Sequence, residues 1–233
     1  MPPIHSSTIL IFGGSSGIGY AVAEKCLTEG GVVHIASSNE SKVNASVQAL
    51  EGKAQRRSDL RPYLERLLSA VAPIDHIVFT AGDSLAVKPL DSINLGLIQR
   101  AGHIRFAVPL LIAKLAPRFM KPGYTSSITL TTGAGSQKPF PGWALVAGYL
   151  TGLHGITRTL ALDLKPLRVN LVSPGVVATP LWGSNGPPEE VNNQTTLGKV
   201  GSPEEVAEAY VYLMKDTNAT GSCVSTNGGS LLL

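Results

Sequence analysis

Phe12-Gly13-Gly14-Ser15-Ser16-Gly17-Ile18-Gly19 is the stretch whose residue types and spacing point most directly to chemistry. An apolar run, Thr8-Ile9-Leu10-Ile11, precedes it and reads as a buried strand. Tyr20 to Leu27 follows and reads as a helix. Strand, glycine turn and helix in that order make a phosphate cradle, because the open N–H groups and partial positive charge of a helix N-terminus face an anion. Gly13 permits the tight turn, Gly17 lets the backbone approach a pyrophosphate, and Gly19 lets the helix pack on the strand, the pattern of a dinucleotide site. Ser15 and Ser16 add hydroxyl donors beside Ile18. A valine at Gly13 would enter the pyrophosphate's space. The plainer reading, a glycine-rich turn that binds nothing, is opposed by the flanking strand and helix.

A cradle of this kind needs a sheet to carry it, and the rest of the chain supplies one. Val32 to Ala36 reads as a second strand after the Gly30-Gly31 helix stop. Glu40 to Leu50 and Asp59 to about Ala70 read as helices. Asp75 to Gly82 reads as a buried strand ending in a small-residue turn. Leu90 to Phe119 is helical with a break near Asn94-Leu95-Gly96. Ser126 to Thr132 reads as a strand, Val146 to Lys165 as a helix, and Leu167 to Val172 as a strand stopped by Ser173-Pro174-Gly175. Glu204 to Met214 is the last helix and Cys223 to Thr226 the last strand. Strands and helices alternate throughout, which predicts an α/β fold: one doubly wound parallel sheet with ligands outside the strands' carboxyl ends. At 233 residues, with no linker and no repeat, a single domain is expected.

Hydrophobic residues make up 43% of the chain and charged residues 15%, with a net charge of +3 and no basic run. That balance excludes nucleic acid as the expected partner. No apolar run reaches the length of a membrane span. Met1 to Ser7 is polar and proline-bearing, so no secretion signal is expected and the reading is cytoplasmic. Cys26 and Cys223 are expected as core thiols in a reducing compartment, and no metal site is expected.

By these residues the chain resembles the short-chain dehydrogenase/reductase family over nearly its full length. The matching runs are Gly13 to Gly19, Asp59-Leu60, Thr80-Ala81-Gly82, Arg168 to Gly175, and the tail Gly221 to Gly229. The resemblance implies a single Rossmann domain of about seven parallel strands with helices on both faces. It implies that Asp59 meets the adenine and that Ala81-Gly82 lies under the cofactor ribose, with Phe79 and Thr80 in place of the family's two asparagines. Pro174-Gly175-Val176 and Thr179 become the nicotinamide clamp. An NAD site usually places a carboxylate near the end of the second strand; Ser37-Ser38-Asn39 offers none. Hydroxyls and an amide can donate to a 2′-phosphate, and Lys42 is in reach, so NADP(H) is the expected cofactor even though the usual arginine is missing. The plainer reading of Ser37 and Ser38 is the start of a helix.

The same resemblance exposes a gap. Ordinary members carry Tyr-x-x-x-Lys and an upstream serine to move a proton to or from the alcohol oxygen. Aligned on Gly155-Ile156-Thr157, those two positions fall on Val146 and Leu150, and Tyr149 is out of register. The serine falls at Thr132 or Gly133, and the helix asparagine at or beside His103. A fungal-type group, including the bifunctional reductase/Diels–Alderases of the malbrancheamide and paraherquamide indole alkaloids, lacks the tetrad in the same way. The match there covers His103 to Phe106, Leu130 to Gly133, Pro139 to Trp143 and Leu162 to Pro166. Arg105 and Trp143 match that group's arginine and tryptophan, while Phe140 replaces the aspartate of its Pro-Asp-Pro-Gly-Trp run.

The candidate catalytic residues are therefore Arg105, Trp143 and Thr132, and the candidate substrate contacts are His103, Phe140, Leu181 and Trp182. Each has a plainer reading: Arg105 as a surface charge on the long helix, Trp143 as packing, His103 as structural. Leu181 to Pro188 reads as a mobile lid within about 180–198. The apolar excess of Val108 to Ala113, with Leu97 to Phe119 and Val146 to Lys165 matching helices that relatives use between subunits, predicts a homo-oligomer, dimer or tetramer. Three functions stay open. The first is an NADPH-dependent reductase for a bulky, already activated (iminium-like) secondary metabolite of the alkaloid kind. The others are a cofactor-templated cyclase or isomerase and a non-catalytic binding paralogue.

Overall fold

Alternating apolar runs and amphipathic segments fold as the pattern demands. The computed structural model describes residues 1–37, 45–46, 61–183 and 185–233. β1 (Thr8–Phe12), β2 (Val32–Ala36), β3 (His76–Phe79), β4 (Ser127–Thr131), β5 (Arg168–Pro174) and β6 (Cys223–Thr226) form one sheet in the order β2-β1-β3-β4-β5-β6. Every pairing is parallel, with Ile9 opposite Val33 on one side and His76 on the other. The described residues thus hold six strands where the family resemblance implied about seven; each of the six apolar runs in the sequence became one strand. β5 runs on through Ser173 and Pro174, which pair with Ser225 and Thr226. Proline is tolerated there because β4 has already ended, so no neighbour on that side needs its missing N–H.

Helices α1 (Gly17–Thr28), α2 (Arg61–Val71), α3 (Leu95–Gly102), α4 (Val108–Leu115), α5 (Ala144–Asp163) and α6 (Pro203–Lys215) cover the sheet. The pleat sorts each strand's side chains between two cores. Ile9, Ile11, Val33 and Ile35 meet α1 and α6 on one face. Leu10, Phe12, Ile77, Phe79, Ile128 and Leu130 meet α2, α4 and α5 on the other. Cys26 belongs to the first core, and its burial pushes the thiol up to about 12. Cys223 is exposed on edge strand β6, which corrects its expected place in the core: an edge strand has a neighbour on one side alone. No helix among the described residues is long and apolar enough to cross a membrane.

Arg168 shows how the far end of the sheet is held. The residue is 2% exposed, and its guanidinium donates to the carbonyls of Tyr124 at 2.6 Å, Leu213 at 2.6 Å, and Met214 and Asp216 at 2.8 Å. Three of these are at the C-terminal end of α6, where carbonyls have no partner inside the helix. Arg168→Met should therefore cost about 3 to 5 kcal/mol of unfolding free energy, because several buried acceptors lose their donor together. Urea unfolding is the measurement, and Arg168→Lys should recover part of the loss.

Candidate active site

In an open parallel sheet, two loops part company where the strand order reverses, leaving a crevice beyond the carboxyl ends. Here β1 leads to β2 on one side, and β3 lies on the other. A cleft of about 660 Å³ opens at that end. Its walls include Gly13, Ser15, Ser16, Gly17 and Ile18 from the first turn and the start of α1, Ser37 after β2, Thr80 to Leu85 after β3, Thr131 to Gly135 at and beyond the end of β4, and Pro174 to Val177 at and beyond the end of β5.

The glycine turn is built by close backbone approach. Gly13 has φ +87°, donates to the Ala36 carbonyl at 2.7 Å, and would place a Cβ 2.6 Å from the Ala81 nitrogen. The obstacle to a side chain there is the chain itself, which corrects the expectation that a valine would enter the pyrophosphate's space. A Cβ at Gly19 would lie 2.4 Å from both the Gly13 carbonyl oxygen and Thr80 Oγ1. Thr80 in turn donates its hydroxyl and its N–H to the Phe12 carbonyl, each at 2.9 Å, tying β3 to β1 beside the turn. Ser16 begins α1 with no side-chain cap, so the first N–H groups of a twelve-residue helix face the cleft. Ser46 supports the turn by donating to the Ser15 carbonyl at 2.9 Å. Gly175, Val176 and Thr179 close the far side of the turn; Thr179 packs where a Gly17 side chain would be. Ser38, Asn39, Lys42, Asp59 and Leu60 lie outside the described residues.

Arg105 reaches the cleft from an irregular turn. His103–Ala107 is of π type, with Val108 N–H donating to the His103 carbonyl, a widening often found at functional sites. The guanidinium packs on Gly82, and its Nε donates to Asp83 Oδ1 at 3.0 Å, with Nη2 donating to the Asp83 carbonyl. The Arg105 side chain is 15% exposed. Burial pulls its pKa down and Asp83 pushes it back; it remains a cation. His103 is exposed and absent from the cleft wall, which corrects its place among the substrate contacts. Residues two apart on a helical turn face nearly opposite ways, so a turn that aims Arg105 inward aims His103 outward.

The opposite wall is apolar. The Phe140 and Trp143 rings meet at 5.2 Å between centroids, tilted by 49°, and Trp143 lies where a Gly135 side chain would be. Leu181 and Trp182, on a short 3-10 turn, and Val191, Gln194 and Thr195 bring the 180–198 segment against the same cavity. Leu150 lines the cleft, Val146 is buried one turn earlier on α5, and no tyrosine lines the cleft among the described residues. Tyr149 turns away, donating to the Ile98 carbonyl at 2.6 Å and packing on Gly102. Thr132 is in the wall, but its hydroxyl donates to the Leu150 carbonyl at 2.7 Å, so its one proton is committed. Reasoning from sequence passed over Asp83, Lys138 and Ser230, all cleft residues. Asp83 follows Ala81-Gly82 directly and could have been found by extending that turn; Lys138 and Ser230 carried no local signal.

The SDR-like Rossmann domain family matches residues 56–233. A short-chain dehydrogenase/reductase, malC of Malbranchea aurantiaca, is 41% identical over 98% of this chain and 96% of its own. ATR9 of Stachybotrys chlorohalonatus, named in the same way, is 41% identical over the whole of both chains. The solved MalC reductase/Diels-Alderase superposes with a TM-score of 0.93, covering 99% of this chain and 97% of that one. A small-chain dehydrogenase in complex with NADPH is 25% identical, with a TM-score of 0.81 over 98% of this chain and all of the other.

Proposed function

The chain belongs to the short-chain dehydrogenase/reductase family, and on that premise we propose an NADP(H)-dependent reductase for a bulky, already activated small molecule such as a cyclic iminium of secondary metabolism. One observation carries the reading: the glycine turn opens into a cleft bordered by Leu150, with Val146 buried one turn earlier; on the alignment at Gly155-Ile156-Thr157 we take these two as the Tyr-x-x-x-Lys positions. Gly13, Ser15, Ser16, Gly17 and Ile18 hold the cofactor's phosphates at the N-terminus of α1. Ala81, Gly82, Pro174, Gly175, Val176 and Thr179 seat the ribose and nicotinamide. The bound cofactor supplies a hydride. Arg105, fixed by Asp83, orients a carbonyl or enolate oxygen of the substrate, while Trp143, Phe140, Leu181 and Trp182 enclose its apolar body and exclude water. The 180–198 segment serves as lid. A relative carries the name reductase/Diels-Alderase, and the aromatic wall here suits a second reading in which a folded substrate cyclises against the bound cofactor. Nicotinamide absorbance with product mass separates the two: product with NADPH oxidised supports the reductase, and product with NADPH unchanged supports the cyclase.

Cofactor choice is a separate expectation. With Ser37 at the cleft and no acid in Ser37-Ser38-Asn39, NADPH should bind at least about tenfold more tightly than NADH, roughly 1.4 kcal/mol. Calorimetry giving equal affinities would overturn it. We also propose a homo-oligomer through α3, α4 and α5, where Leu95, Ile98, Leu110 and Leu162 are exposed. Light scattering at micromolar concentration should return a dimer or tetramer, and a mass near 24.4 kDa would contradict it.

A further inference from the structure

Among the described residues, the charges that face the cleft do not cancel. Its described lining contains three charged side chains, Asp83, Arg105 and Lys138. Asp83 and Arg105 pair with each other. Lys138 has no carboxylate within ion-pair distance among the described residues. Its Nζ donates to the Ser230 carbonyl at 2.9 Å. An ammonium has three donors and no acceptor, so that bond leaves two N–H groups for a ligand. The backbone that carries this side chain is fixed: the Lys138 amide N–H donates to the Ala134 carbonyl at 2.9 Å, closing the tight turn that follows β4. That turn is two strands away from β1 in the sheet order, roughly 10 Å at ordinary strand spacing. Lys138 is therefore set apart from the glycine turn, on the loop that also carries Phe140 and leads to Trp143.

From this uncompensated cation at the substrate end of an apolar cleft, we infer that Lys138 selects substrates whose far end bears an anionic oxygen, a carboxylate or an ionised phenol. The inference rests on the proposed function only for the side of the cleft that substrate occupies. A carboxylate there receives charge-assisted hydrogen bonds while Trp143 and Trp182 cover the ring system next to it. Its neutral ester offers the same shape and no charge, so the pair isolates the lysine's effect.

Binding can be read without turnover, because both tryptophans of the chain, Trp143 and Trp182, line the cleft. NADPH-loaded protein is titrated with naphthoate and with methyl naphthoate, following tryptophan fluorescence and checking the affinities by calorimetry. The acid should bind at least about tenfold more tightly than the ester. In Lys138→Met the two should fall within about twofold of each other, and Lys138→Arg should keep most of the preference. Matched melting curves and NADPH affinities establish that both variants are folded. Equal binding of acid and ester by the unaltered protein, no binding of the acid, or an acid preference surviving in Lys138→Met would each overturn the inference. Lost NADPH affinity in Lys138→Met, with naphthoate affinity kept, would reassign the lysine to the cofactor and overturn it too. None of these outcomes bears on hydride transfer, which is measured separately.

Discussion

Gly13→Val is expected to lower NADPH affinity by more than about a hundredfold, ~2.7 kcal/mol, and to destabilise the fold as well. Two independent costs meet at this position. The backbone has φ +87°, a region that a β-branched residue scarcely enters. The first side-chain carbon would also lie 2.6 Å from the Ala81 nitrogen, 2.8 Å from its Cα and 2.9 Å from the Thr80 carbonyl carbon. These are backbone atoms, so no rotamer change relieves the contact. The turn must move away from Thr80-Ala81, and with it goes the alignment of the α1 N-terminus against Ala81 and Gly82. Strain of this kind costs on the order of 1 to 3 kcal/mol in stability. Calorimetry with NADPH and thermal melting measure the two losses. A folded Gly13→Val protein that still binds NADPH normally would falsify the assignment of this turn to the cofactor.

The second large effect concerns the reaction itself. Simple ketones should be reduced about 10² to 10⁴ times more slowly than a cyclic iminium of similar size, because a neutral carbonyl needs a proton donor as hydride arrives and that is the usual worth of general acid catalysis. Neither Val146 nor Leu150 can supply the proton, and the Thr132 hydroxyl is spent on the Leu150 carbonyl. An iminium carries its charge beforehand. It would lie against the Phe140–Trp143 pair, a cation–ring contact of roughly 0.5 to 2 kcal/mol, so Trp143→Ala should raise its KM severalfold. The pair Val146→Tyr with Leu150→Lys should raise trace ketone activity, since residues four apart share one helix face and Leu150 already borders the cleft. Brisk ketone turnover by the unaltered protein would show that a proton donor exists elsewhere in the cleft. A folded, cofactor-bound double variant with no gain would remove the register that places Val146 and Leu150 at those positions.

Local pattern settled a good deal about this protein. The alternation of apolar runs and helical segments defined the parallel sheet, because side-chain period and turn residues act over a few positions. The Gly13-Gly17-Gly19 spacing marked the cradle for the same reason: strand end, turn and helix start are contiguous in the chain. Thr80-Ala81-Gly82, and Pro174-Gly175-Val176 with Thr179, were assigned through the family resemblance, and they line the cleft because a doubly wound sheet sends the loops after its strands to one end. What the sequence left open depended on contacts between distant segments. Arg105 had two readings until the π-type turn aimed it at Asp83, twenty-two residues earlier, and the same turn put His103 in solvent. Thr132 looked available until the fold set it against the Leu150 carbonyl, eighteen residues on. Lys138 had no pattern of its own; its place in the cleft follows from a tail residue ninety-two positions away, whose carbonyl holds the amine. Hydrogen bonds and charges of this kind act over a few ångströms in space, and chain separation carries no record of them; only the packed sheet and its helices decide which of these groups meet.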